Sequence, residues 1–191
     1  MSTAVMMERI AETSPRLKAR IAGVFYLLNI LTGAFALFVR GRLGFVVVLI
    51  ATSCYIAVTL LFCDIFKPVN RSLSLLPALF SLVGCAIAAL SPFHLALFHI
   101  NSLVFFGFYC LLIGYLILRS TFLPRTLGVL MVFAGLGWLT FLSPPLAHDL
   151  SPYILAPGII GEGSLTLWLL VAGVNVQRWK EQASAAGEWR S

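Results

Sequence analysis

The chain alternates between long apolar runs and short polar links. The runs occupy residues 21–39, 43–63, 72–90, 93–118, 126–142 and 153–174. A helix needs about 20 apolar residues to cross the hydrocarbon core of a bilayer, and each run comes near or exceeds that length. The links are "RGR", "DIFKPVNR", "SP", "RSTFLPR" and "SPPLAHDLSP". None is long enough to hold a soluble domain. The pattern predicts an all-α polytopic membrane protein, a bundle of six transmembrane helices with short links. Residues 1–20 form an N-terminal segment, residues 21–174 the transmembrane domain and residues 175–191 a tail.

Composition agrees. Of 191 residues, 60% are hydrophobic and only 10% charged, whereas a soluble domain is closer to half apolar and a quarter charged. The net charge of +6 does not point to nucleic acid, because the basic residues sit at the ends of apolar runs and form no phosphate-binding face.

Those basic residues predict the threading. Arg9, Arg16, Lys18 and Arg20 precede the first run; Lys67 and Arg71 lie in the second link, Arg119 and Arg125 in the fourth, and Arg178, Lys180 and Arg190 in the tail. With six spans all of these fall on one side, and only Arg40 and Arg42 fall on the other. The positive-inside rule then places both termini in the cytoplasm, with the chain in the inner (cytoplasmic) membrane. The N-terminus does not read as a cleaved signal, since its first apolar run is too long for one. "TSPRLKAR" reads as a helix start, with Ser14 as cap and Pro15 in the first helical position.

One residue breaks the apolar pattern. Glu162 stands near the middle of the sixth run, between Gly161 and Gly163. An ionised side chain at a span centre costs about 2.5–3.5 kcal/mol on insertion scales. Two roles follow: a proton or cation site, or a neutral acid hydrogen-bonded to a neighbouring helix. The glycines also read two ways. Gly158, Gly161 and Gly163 let another helix approach closely; alternatively, with Pro157, they interrupt the helix and free backbone carbonyls to line a cavity.

Depth suggests partners for Glu162. It lies nine residues into its run, or ~14 Å, and His99 and Asn101 lie ~9–12 Å into the fourth. Asn29 and Tyr55 also fall near mid-span. These residues form the expected intramembrane polar site, with His94, His148 and Asp149 as an outer vestibule. Asp64, Lys67 and Arg71 cluster at the cytoplasmic mouth, where they can pair or meet anionic lipid head groups. No cofactor or metal site is expected. His94 and His99, five residues apart, face different sides of a helix, and no HExxH motif, CxxC pair, Walker loop or GxGxxG is present. The four cysteines read as small packing residues.

"ARIAGVFYLLNILTG" (19–33), "KPVNRSLSLLPALFSLV" (67–83), "FFGFYCLLIGYLILRSTFLPRTLGVLMVFAGLGWL" (105–139) and "GEGSLTLWLLVAGVNVQRW" (161–179) together resemble a bacterial multi-pass membrane family defined only as a domain of unknown function (DUF4386). The block around "YLILRSTFLPRTLG" carries the likeness most specifically. Ala172 departs from it, standing where that family often has a lysine. The resemblance implies a bacterial cytoplasmic-membrane protein and transfers no activity.

Three functions remain open. One is a small transporter or channel-like protein with a proton- or cation-sensitive site at Glu162. Another is a membrane enzyme acting on lipid through the outer His, Asp and Glu residues, although an enzyme is the less favoured reading. The third is a non-catalytic subunit or scaffold. The expected partners are membrane lipids, with a second copy or another membrane protein as an alternative, and no nucleic acid.

Overall fold

The computed structural model describes residues 14–90, 101–151 and 153–187. It contains six helices long and apolar enough to cross a membrane. They are built on α1 (Pro15–Ala36), α2 (Gly41–Phe66), α3 (Arg71–Leu90), α4 (Ser102–Arg119), α5 (Arg125–Leu139) and α7 (Ala156–Val171), the last two reaching spanning length with the adjoining 3-10 turns as Arg125–Leu142 and Tyr153–Val171. Between α5 and α7 lie a 3-10 turn (Thr140–Leu142), the short helix α6 (Pro144–Asp149) and a second 3-10 turn (Tyr153–Leu155). After α7 comes α8 (Val176–Ala185). No strand occurs among the described residues.

Sequence chemistry explains the helix ends. Pro15 occupies the first turn of α1, where its missing N–H costs nothing, and Ser14 precedes it through its backbone carbonyl rather than its side chain. Asn101 caps α4 by accepting from Leu103 N at 3.0 Å, and Asn175 caps α8 by accepting from Arg178 N at 3.1 Å. Gly173, at φ +68°, follows the end of α7 in a left-handed conformation that a side chain would strain. Pro157 lies in the first turn of α7, and that helix runs unbroken from Ala156 to Val171. Of the two readings of Pro157 and its glycines, close helix approach therefore holds and an interruption of the helix does not: a proline in the first turn removes no helical hydrogen bond.

The six long helices close into a ring. Each of α1 to α5 packs on the next, α5 packs on α7, and α7 returns to α1. A ring of six leaves a central space that aliphatic side chains alone do not fill. Aromatic rings fill it here. Phe106, Tyr55, Tyr26, Phe62, Phe66 and Phe122 form a continuous series with centroid separations of 4.8 to 6.1 Å. Most pairs meet edge to face, as the ring quadrupole favours.

Glycine lets α4 and α5 approach backbone to backbone. A Cβ at Gly114 would stand 2.8 Å from the carbonyl oxygen of Gly128, and one at Gly128 would stand 2.9 Å from that of Gly114. Gly107 and Gly135 repeat the arrangement one heptad away, at 3.1 and 2.8 Å. Backbone therefore lies on backbone at two crossings, the means by which small residues hold helices together where lipid removes the hydrophobic drive.

The first link at the basic end, the 119–125 link, the start of α1 and the end of α7 all meet. Lys18 pairs with Asp64, and Arg20 donates to Val171 O at 3.2 Å. The tail is not detached. Trp179 Nε1 donates to Ile65 O at 2.8 Å, Thr121 N donates to Gln182 Oε1 at 3.0 Å, and Ala183 is fully buried. α8 thus straps the basic end of the bundle.

Gly114→Val should cost about 1–3 kcal/mol, because the crossing cannot widen without losing its partner crossing. Gly33→Ala, which meets nothing within 4 Å, should be neutral or gain about 0.5–1 kcal/mol. Thermal unfolding in detergent micelles checks the pair, and equal effects would rule out the glycine crossings as the hold.

Candidate functional site

Glu162 points into the ring, with 8% of its surface exposed. Trp138, on α5, donates its indole N–H to Oε1 at 2.6 Å. Cys110, on α4, directs its thiol to the same oxygen at 3.6 Å. Both donors fall on Oε1, and among the described residues Oε2 accepts no hydrogen bond. Local sequence places the carboxyl there. A Cβ at Gly161 would collide with Leu130 O, and one at Gly158 would collide with the Trp138 indole. The two glycines let α7 press against α5, and Gly158 leaves room for the indole to lie across the helix and reach Glu162. Gly163 has open space around it, so the packing role belongs to Gly158 and Gly161.

Three phenols surround the carboxyl. Tyr26 of α1, Tyr55 of α2 and Tyr109 of α4 are 0%, 4% and 0% exposed. Tyr26 lies against the carboxyl of Glu162, and Tyr55 lies against Tyr26; Tyr109 is within electrostatic reach of Glu162. Yet none of the three hydroxyls makes a hydrogen bond of normal geometry among the described residues. A buried polar group without a partner costs about 1–3 kcal/mol. Most buried polar groups in proteins are satisfied, so three orphans beside one carboxyl mark a specialised site.

The groups that act on Glu162 are Trp138, Tyr26 and Cys110, and no basic side chain among the described residues pairs with it. The ion pair of Lys18 with Asp64 lies at the basic end. Below Glu162 the phenylalanines Phe62, Phe66 and Phe122 fill the ring toward that end.

The structure brings together Glu162 and Tyr55 from the expected polar site. Asn29 lies one turn from Tyr26, half-buried, and its side chain makes no hydrogen bond among the described residues. Asn101 is engaged as the cap of α4. His94 and His99 lie outside the described residues. His148 and Asp149 sit exposed on α6. Asp64 pairs with Lys18 of α1, while Lys67 and Arg71 stand exposed on the same link. No group of three metal-ligating side chains occurs among the described residues.

Trp138, Cys110, Tyr26 and Tyr109 were not anticipated at the site. A signal for the phenols existed: tyrosine in membrane helices favours the interface, and these stand mid-span. Trp138 and Cys110 gave none, because only the α5–α7 and α4–α5 contacts carry them to Glu162.

The family described as domain of unknown function (DUF4386) matches residues 93–173, the segment holding Tyr109, Cys110, Trp138 and Glu162. An uncharacterized protein of Archaeoglobus fulgidus is 33% identical over 127 residues, covering 62% of this chain and 75% of that relative. No solved structure matches the chain. With the match over residues 93–173 and the archaeal relative, the chain belongs to the family described as domain of unknown function (DUF4386).

Proposed function

We propose that this is a small proton- or cation-linked transporter or channel-like protein of the cytoplasmic membrane, with Glu162 as its working group and both termini in the cytoplasm. One observation carries the reading: a carboxyl inside the helix ring with no basic partner among the described residues. An ionised acid at that depth costs about 2.5–3.5 kcal/mol. A hydrogen bond to a charged group returns about 1.5–3 kcal/mol, and Trp138 supplies one. The two quantities are of similar size, so neither protonation state is locked. A site balanced in this way suits a group that gains and loses a proton as its surroundings change. The aromatic filling toward the basic end fits a state closed on that side.

A second reading has an observation of its own. The short Trp138–Glu162 hydrogen bond would equally serve an acid whose task is to hold α5 to α7, as a scaffold requires. Two substitutions separate the readings. Glu162→Gln retains an acceptor for the indole and cannot release a proton. With the purified protein in liposomes and a pH-sensitive dye inside, the wild type should carry a proton flux under an imposed pH gradient. Glu162→Gln should remove that flux while unfolding at nearly the wild-type temperature. Equal flux from both proteins would refute the reading. Trp138→Phe should destabilise the bundle by about 1–3 kcal/mol through the orphaned acceptor.

Threading has its own test. Eleven of the thirteen basic residues fall on one side of the six spans. A reporter fused after Asp149 should give a periplasmic signal, and one after Lys180 a cytoplasmic signal. A periplasmic C-terminus would overturn the orientation.

A further inference from the structure

The interior site has more oxygen than it uses. Glu162 Oε2 accepts no hydrogen bond among the described residues, and the hydroxyls of Tyr26, Tyr55 and Tyr109 have no partner of normal geometry. These oxygens come from four helices of the ring. We propose that Glu162 Oε2 and the three tyrosine hydroxyls form a binding site for a small monovalent cation of the sodium class, taken up in exchange for the Glu162 proton. The inference rests on the reading of Glu162 as the working group and names what it binds.

The chemistry of the donors selects the ligand. Carboxylate and hydroxyl oxygens are hard ligands that suit hard cations. The site holds one negative charge at most, because Tyr26, Tyr55, Tyr109 and Cys110 are neutral in their ordinary forms. A monovalent ion neutralises that charge, whereas a divalent ion would leave a net positive charge in the membrane interior, where an uncompensated charge is expensive. An organic ammonium would need an open aromatic box. The rings here touch one another instead, Tyr26 to Tyr55 at 5.8 Å and Tyr55 to Tyr109 at 5.2 Å. A water molecule could satisfy the hydroxyls but not the charge of an ionised Glu162.

Trp138 and Cys110 complete the design. Both donors converge on Oε1, which fixes the carboxyl and leaves its other oxygen without a donor among the described residues. The titratable groups facing Glu162 are Tyr26 from α1, Tyr55 from α2, and Tyr109 and Cys110 from α4. From α5 only the non-titrating Trp138 meets it. The exchange balances: the neutral carboxyl releases its proton to solution, and the carboxylate takes the cation through Oε2 while each phenol keeps its proton and offers a lone pair. Total charge at the site is unchanged, so exchange avoids the cost of an unpaired ion.

The test uses the full chain in detergent, with sodium chloride replacing choline chloride at constant ionic strength. Sodium should raise the unfolding temperature and change tryptophan emission, and choline should do neither. Trp138→Phe should silence the emission change. Where Glu162 is protonated, the apparent sodium dissociation constant should fall about tenfold per unit rise in pH, as one-for-one exchange requires. Glu162→Gln should abolish the sodium effect. Tyr26→Phe, which keeps the carboxyl and removes one ligand, should weaken sodium binding, whereas the exposed Tyr115→Phe should not. Should Glu162→Gln fail to fold, the comparison of these two tyrosine variants decides. Equal effects of sodium and choline at every pH would overturn the inference, as would identical sodium affinity in the two tyrosine variants. A Glu162-dependent proton flux without a sodium effect overturns this inference alone. Sodium binding without any flux supports it and removes the transport reading.

Discussion

The hydrogen bond from the Trp138 indole to Glu162 is the contact on which the rest of the interior depends. It joins α5 to α7 across the closure of the ring, and it holds the one carboxyl of the membrane core at a set height and rotation. Its formation requires two glycines. Gly158 leaves space for the indole, and Gly161 lets the α7 backbone lie on Leu130. A methyl at either position would push α7 outward and separate donor from acceptor. The polar chemistry and the helix packing at this seam are therefore one constraint.

The aromatic interior follows from the ring. Each long helix has two neighbours along the circuit, which leaves the centre to side chains that reach inward. Tyr26, Tyr55 and Tyr109 reach far enough to touch one another and to bring hydroxyls near Glu162. Phe62, Phe66 and Phe122 continue the same filling toward the basic end with no polar atom. The change from phenol to phenyl along this series marks where the polar site stops. At the basic end the α8 strap holds Ile65 through Trp179 and the 119–125 link through Gln182. α2, α4 and α5, which supply Tyr55, Cys110 and Trp138, are thereby tied together at one end.

Much of the fold was legible along the chain because hydrocarbon imposes a length on every span. Six long apolar helices and the Ser14–Pro15 helix start appear among the described residues, the fourth helix from Ser102 on. Pro157 left two readings open because a proline among glycines resembles a break, whereas in the first turn it initiates a helix. Gly107, Gly114, Gly128 and Gly135 carried no expectation from the sequence, since their meaning lies in which helices touch. Glu162 announced itself as a charge out of place. Its partners did not, since depth along a span gives height without rotation. Asn101 has a suitable height and is spent on a helix cap, while Trp138, near the end of α5, is rotated onto the carboxyl.

Infrared difference spectroscopy of the carboxyl carbonyl stretch tests the central claim most directly, that an interior acid with no basic partner among the described residues exchanges its proton. Protein in liposomes should show one buried-acid carbonyl band that disappears reversibly as pH is raised, and Glu162→Gln should lack it. Absence of any titrating band that separates the two proteins would contradict the account.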